Sequence, residues 1–323
     1  MPIIKESSYL KRPAYYFNAW QETLAPYFLS KNNKVSYERE RFELKDGDFI
    51  DLDWIRNDAN ALIIVSHGFE GNSQDHFIQE SATYFASNSF DVLVWHYRSC
   101  SKDLNSKSRF YDYGDIHDLH EVITHAMAKG SYDQVVLLGF SMGGNFVLNY
   151  LGSEICGDSI KCGIVFSTPM DLSEASRKLS KGMNRWVERS FIKKFKRKIE
   201  RKASVFPERF DLDKLKTINS LEELISTYVL SQNQGFSDIS EYYSRWSSKQ
   251  FLSCIKVPVL IVNAKNDPLL SKNCFPYDAC EQHEFVYLET PKYGGHMGFS
   301  KKKDGKRWYV RRIEEFLIRE LKL

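Results

Sequence analysis

The chain reads as an α/β protein built on a mostly parallel, doubly wound sheet, and three features of its sequence point there. Short apolar runs recur at residues 61–65, 92–95, 135–140, 163–166, 259–262 and 285–288. Most are continuous rather than alternating, the pattern of strands buried on both faces. Stretches with helical spacing lie between them, at 77–87, 116–128 and 145–151, and strand–helix alternation implies parallel strands joined by crossover helices. With 323 residues, 42% apolar and 27% charged, the chain can bury one large core carrying an insertion, and it is unlike disordered or collagen-like sequences.

Taken in order, residues 1–40 are rich in Tyr, Lys and Asn, show no clean period and read as an arm wrapping the core. Arg41-Phe42-Glu43-Leu44 and residues 49–54, joined across Lys45-Asp46-Gly47-Asp48, read as a hairpin because Asp-Gly suits a tight turn and Ile50, Leu52 and Trp54 alternate. The strand–helix rhythm starts at Ala61 and breaks between Pro169 and about Lys249, where helical spacing continues without a strand. This predicts an N-terminal arm over 1–40, a core over 41–168 and 250–323, and a helical insertion over 169–249 lying above the strand ends. A closing helix carries Trp308, Ile313, Phe316, Leu317 and Leu321 on its apolar side.

No apolar stretch approaches the roughly 20 residues of a spanning helix, and the opening lacks a signal peptide's apolar run, so a cytoplasmic protein is expected. The six cysteines include no C-x-x-C pair, which favours free thiols over a disulfide framework or zinc site. The net charge of +3 conceals an asymmetry: residues 177–202 hold twelve Lys or Arg against Glu188 and Glu200 alone.

The most informative residues are Gly139-Phe140-Ser141-Met142-Gly143, between an apolar run and a helical stretch. A G-x-S-x-G at a strand-to-helix turn permits the sharp backbone that lifts the serine hydroxyl above a sheet. That hydroxyl needs an imidazole to take its proton and a carboxylate to fix the imidazole's tautomer. Asp267 follows the strand at 259–262, and His296 follows the strand at 285–288 within Gly294-Gly295-His296-Met297-Gly298. Taken singly, an Asp before Pro is more often a turn-former and a His in a Gly-rich loop more often structural. Their joint order and placement at strand ends favour catalysis. Asp171 is the alternative acid by the same positional logic. For the oxyanion, the amide of Met142 and one from Ser66-His67-Gly68-Phe69-Glu70-Gly71, with Phe69 chosen, are the expected donors. His67 precedes the serine and is assigned to bracing that loop.

These motifs, together with Tyr113-Gly114-Asp115-Ile116-His117-Asp118, Tyr242-Tyr243 with Ser247, and Gly144-Asn145, resemble the alpha/beta-hydrolase superfamily, in its branch of embryogenesis-associated, YheT-like esterases and related abhydrolase-domain lipases. The resemblance covers about residues 62–299. It implies the alpha/beta-hydrolase fold with a helical cap insertion and a Ser-Asp-His triad on Ser141, Asp267 and His296. Two departures stand out. Ser99 in His96-Tyr97-Arg98-Ser99-Cys100 occupies the place of a family glycine, and Asn266-Asp267 stands where many members have two acids.

Within the insertion, Trp186, Val187, Phe191, Ile192, Phe195 and Ile199 recur at helical spacing among Arg185, Arg189, Lys193, Lys196, Arg197 and Lys202. Such a helix suits peripheral contact with an anionic membrane, or else docks by its apolar face and leaves the basic face to solvent. Nucleic acid is not an expected partner, no cofactor is expected, and His117 and His120 read as a polar helix face rather than metal ligands. The expected activity is hydrolysis of carboxylic esters, apolar or lipid-like, through an acyl-enzyme. Acyl transfer or thioester cleavage on the same residues, and a non-catalytic membrane-surface member of the fold, are the alternatives.

Overall fold

The computed structural model describes residues 3–29, 35–232, 235–300 and 302–322, so the arm's residues 1–2 and 30–34 lie outside the described residues. Its centre is a nine-stranded sheet in the order β1-β9-β8-β7-β6-β4-β5-β3-β2. The strands are β1 (Ile3–Ile4), β2 (Glu38–Glu43), β3 (Phe49–Ile55), β4 (Ala61–Ser66), β5 (Asp91–Trp95), β6 (Gln134–Phe140), β7 (Ile160–Phe166), β8 (Val259–Val262) and β9 (Val286–Glu289). Only the hairpin strand β3 runs against its neighbours, β2 and β5. The remaining pairings are parallel.

The apolar runs are continuous because both faces are covered. Leu62, Ile64, Val135 and Leu137 point to one apolar layer, and Ile63, Val65, Val136 and Leu138 to the other. The helices are α1 (Ala19–Leu29), α2 (His76–Ala86), α3 (Ile116–Lys129), α4 (Met142–Leu151), α5 (Leu172–Leu179), α6 (Asn184–Ala203), α7 (Leu212–Thr217), α8 (Leu221–Tyr228), α9 (Ile239–Trp246), α10 (Tyr277–Glu281) and α11 (Trp308–Leu321). α3 and α4 join the first layer, and α2 and α11 the second. Between β7 and β8 the chain runs through α5 to α9, and α6 packs Phe195 and Ile199 into the first layer.

The strand order turns back between β4 and β6: the chain adds β5 and the hairpin on one side, then β6 to β9 on the other. The crevice beyond the carboxyl ends of strands at such a switch point is where open α/β sheets hold ligands.

The arm differs from its reading as unpatterned chain. It contributes β1, which pairs with β9, and α1, which buries only Glu22, Thr23 and Pro26. A helix whose inner face is a carboxylate, a hydroxyl and a proline has no apolar stripe for periodicity to find.

Candidate active site

Ser141 sits at the switch point, between β6 and α4, with φ +54° and ψ −120°. A side chain in the left-handed region is strained and persists only where the surroundings fix it. Here the Ser141 amide donates to the Phe166 carbonyl at 2.8 Å, and the Ser141 carbonyl accepts from Gly144 at 2.9 Å. The flanking glycines are steric requirements: a Cβ on Gly139 would lie 2.6 Å from the Gly143 oxygen, and one on Gly143 2.5 Å from the Ser66 carbonyl carbon.

The structure brings Ser141, His296 and Asp267 into one hydrogen-bonded row. His296 Nε2 lies 3.0 Å from Ser141 Oγ, and His296 Nδ1 lies 2.9 Å from Asp267 Oδ2. Asp267 is buried, and its Oδ1 accepts from the Leu269 amide at 2.8 Å. Its hydrogen bond sets the tautomer: Nδ1 carries the proton and Nε2 faces the serine with a lone pair. Asp171 is elsewhere. It caps α5 through the Glu174 amide and pairs with Lys249 at 2.5 Å and Asn273 at 3.0 Å.

The loop after β4 closes the other side. His67 is wholly buried, with Nδ1 2.8 Å from the Gly68 carbonyl and Nε2 accepting from the Tyr97 amide at 3.4 Å. Burial, with His96 nearby, pushes its pKa well down, so the ring stays neutral and serves as a brace. Among the described residues, neither the Phe69 nor the Met142 amide donates to a protein acceptor. Met142 opens α4, where first-turn amides lack helical partners. Both residues line a cavity of about 80 Å³ that reaches Ser141 and His296, walled by Tyr113, Leu172, Phe191 and Tyr243. Larger clefts exist, one of about 970 Å³ against Tyr16, Tyr84 and Lys306, but they do not touch these residues.

Other motif residues are scaffold. Arg98 makes a bidentate pair with Asp118 at 2.7 and 2.8 Å and also meets Asp48. Ser99 takes the left-handed conformation, φ +61°, that a glycine would adopt without strain, and its hydroxyl bonds Asn105. Asn145 of α4 bonds the Trp246 carbonyl and the Ser248 amide, tying the helix after Ser141 to the end of α9. Cys100 is no rival nucleophile, since burial pushes its pKa up to about 12.

Sequence reasoning missed the residues behind His296. Glu22 and Thr23 of α1, Asn266 and Ser167 each accept a hydrogen bond from the loop that carries it. One local signal existed: Asn18 and Gln21 form a capping pair at the start of α1, with Oδ1 of Asn18 accepting from the Gln21 amide and Oε1 of Gln21 from the Phe17 amide. Asn266 also explains the missing second acid. Its amide donates to Glu22 at 2.9 Å and accepts from Gly295 at 3.0 Å, and a carboxylate there would face the Glu22 carboxylate.

Residues 61–302 match the family model described as the alpha/beta hydrolase fold. The chain is 27% identical over 290 residues to the putative esterase YheT of Escherichia coli (strain K12), covering 88% of this chain and 85% of that one. It is 24% identical to the monoacylglycerol lipase of Saccharomyces cerevisiae (strain ATCC 204508 / S288c), covering 81% and 60%. Among solved structures, the Pyrococcus furiosus esterase Pf2001 superposes with a TM-score of 0.61 at 16% identity, covering 96% and 97%, and shares the fold. The chain therefore belongs to the alpha/beta-hydrolase family, in its branch of YheT-like esterases and related lipases.

Proposed function

We propose that the protein is a serine hydrolase of carboxylic esters working through an acyl-enzyme, with Ser141, His296 and Asp267 as its triad. The row of hydrogen bonds at 3.0 and 2.9 Å, ending on a strained Ser141, carries this reading. Ser141 Oγ attacks the acyl carbonyl carbon while its proton passes to His296 Nε2. The carbonyl π pair moves to oxygen, which the free amides of Met142 and Phe69 receive. Collapse expels the alcohol with the proton from His296, and a water, deprotonated by the same nitrogen, then clears the acyl group. Asp267 holds the ring and stabilises its cationic form.

The substrate class we infer is an apolar or lipid-like acyl ester, because the walls beside Ser141 are Leu, Phe and Tyr side chains and YheT and the yeast relative are named esterase and lipase. The space beside Ser141 is small, about 80 Å³, so a longer acyl chain calls for a shift of α5 to α9, the role of a cap. The outer face of α6 adds a membrane contact to the proposal. Arg185, Arg189, Lys193 and Arg197 make no ion pair among the described residues, and Met183 and Trp186 beside them are 61% and 74% exposed. Basic residues flanking exposed apolar anchors suit an anionic lipid surface. Among the described residues no helix is long and apolar enough to cross a membrane.

The test is a fluorophosphonate probe with intact-mass readout on the wild type and Ser141→Ala. One adduct on the wild type and none on the variant is the expected result. No adduct on folded wild type overturns the hydrolase reading. A p-nitrophenyl ester series then sets acyl length, and an alcohol or thioester in place of the ester separates acyl transfer and thioesterase activity.

A further inference from the structure

The loop that presents His296 leaves none of its amides without an acceptor. Gly294 N–H donates to Glu22 Oε2 at 2.6 Å, Gly295 to Asn266 Oδ1 at 3.0 Å, His296 to Thr23 Oγ1 at 2.9 Å, Met297 to Ser167 Oγ at 3.0 Å, and Gly298 to the Gly294 carbonyl at 2.8 Å. Four consecutive acceptors are side chains, and α1 supplies two of them from adjacent residues more than 270 positions away in the chain. Such a run is needed because the loop cannot form regular structure: Gly294, Gly295 and Met297 have φ of +137°, +53° and +59°.

The two acceptors are themselves fixed. Thr23 is 4% exposed, and its hydroxyl proton goes to the Ala19 carbonyl at 2.8 Å, so its lone pair has one direction left. Glu22 is fully buried; its second oxygen accepts from Asn266 and faces Arg12 at 3.5 Å. Through Asn266, Glu22 also reaches the residue before Asp267. α1 thus meets the loop backbone at His296 and the Asn266 side chain beside Asp267.

Contact is close enough to be exclusive. A Cβ on Gly295 would lie 2.7 Å from Thr23 Oγ1, and one on Gly298 would overlap the Glu22 carbonyl. The glycines at 295 and 298 are spacing for α1 as well as turn chemistry.

We propose that Thr23 and Glu22 are positioning residues for His296, so that α1 sets the ring's distance to Ser141 and is part of the catalytic apparatus. This rests on the triad reading, and it assigns to the N-terminal helix a role in the reaction. Reacting groups held in line lose rate steeply with small displacements, and neither residue lines the cavity at Ser141.

Thr23→Val keeps shape and removes the acceptor, whereas Thr23→Ser keeps the acceptor. The measurements are fluorophosphonate labelling rate, kcat and KM on p-nitrophenyl butyrate, and the low-field proton resonance of the His296 Nδ1–H. Thermal unfolding of each variant confirms that rates refer to folded protein. We expect Thr23→Val to lower labelling and kcat on the order of 10- to 100-fold with KM little changed. The resonance should shift or broaden, and Thr23→Ser should recover both. Phe28→Ser, on the exposed face of α1, is expected to match the wild type. If Thr23→Val does not fold, Glu22→Gln, which turns one acceptor into a donor, takes its place with the same readouts. Wild-type rate and resonance in the acceptor-lacking variant, or equal loss in Thr23→Val and Thr23→Ser, overturns the proposal. A wild type that is never labelled sinks the hydrolase reading instead, and the resonance still decides whether Thr23 positions His296.

Discussion

The two loops that face Ser141 are held on opposite plans. The loop at residues 294–298 is fixed by short side chains meeting backbone amides, with no room for a single added carbon at Gly298. The loop at residues 67–71 is held from the cap by a long side chain: Lys198 of α6 reaches Glu70 Oε1 at 2.6 Å, and the Tyr111 hydroxyl joins the same oxygen at 2.9 Å. Phe69 itself rests on the rings of Phe191 and Phe195, both on α6. Packed backbone has no small displacement available, whereas a lysine stem and stacked rings can move with the helix that carries them. The loop at 294–298 is therefore held by backbone packing, and the loop at 67–71, which carries the proposed oxyanion donor Phe69, is tied to α6. In the proposed ester hydrolase this division would let the wall at Phe69 shift for an acyl chain while the proposed general base, His296, keeps its alignment.

The largest expected effect breaks the rigid side. Gly298→Ala drives a methyl into the Glu22 carbonyl, whose carbon would lie 2.5 Å away, and towards the Gly294 oxygen at 2.7 Å. Both are backbone, so α1 must lift from the loop. Urea unfolding should show a loss of more than about 5 kcal/mol or no folded protein at all, and ester turnover should vanish. A variant with native stability and rate would show that α1 does not constrain this loop.

Next is Lys198→Met on the yielding side. It strands the Glu70 carboxylate, 5% exposed, with a hydroxyl as its remaining side-chain partner. Breaking one half of a buried pair costs about 3–5 kcal/mol, and removing both charges restores much of it. Denaturation of Lys198→Met, Glu70→Gln and the double variant should thus show strong coupling. Turnover should fall on the order of tenfold in Lys198→Met and partly return in the double variant. Independent, additive effects would argue that the pair does not hold the loop.

A smaller effect depends on pH. Lys202, one turn further along α6, is fully buried and donates to the carbonyls of Lys107 and Arg109, the segment leading to Tyr111. Burial pushes its pKa down to about 7. Between that value and its unfolded value near 10.4, the unfolded chain binds a proton that the folded chain does not, so stability rises with pH; below about 7 the full penalty applies. From pH 6 to pH 9 the wild type should gain about 2–3 kcal/mol relative to Lys202→Met. Parallel curves for the two proteins would mean that the ammonium is paid no such penalty.

The same contrast sorts what was legible in the sequence. The parallel strands, Ser141, Asp267 and His296 could be read because each sits at the end of a continuous apolar run, and sheet topology carries strand ends to one edge. Glu22, Thr23 and Lys198 could not. Each acts through contacts across a long sequence separation, and nothing near them in the chain encodes the partner. Asn266 was visible only as a departure from the family pattern; its function emerged once the buried Glu22 carboxylate was found opposite it. Periodicity reports burial of apolar faces, and α1 buries a polar one.

The smallest expected effect sharpens the comparison from the loop after β4. A Cβ on Gly68 would lie 3.6 Å from Ser141 Cβ and 3.8 Å from the Phe140 carbonyl oxygen, both ordinary contacts, and Gly68 is not among the positive-φ glycines. Gly68→Ala should fold at least as well as the wild type and gain up to about 1 kcal/mol by restricting the unfolded chain. The methyl nevertheless stands beside Ser141, the proposed nucleophile, so kcat/KM for bulky acyl esters should fall more than for acetyl esters, while labelling by a small fluorophosphonate persists. Gly298 and Gly68 look alike in sequence, each a glycine beside a proposed catalytic element. If Gly68→Ala proved as damaging to stability as Gly298→Ala, the oxyanion side would be as tightly packed as the histidine side, and the cap would have no compliant wall to move.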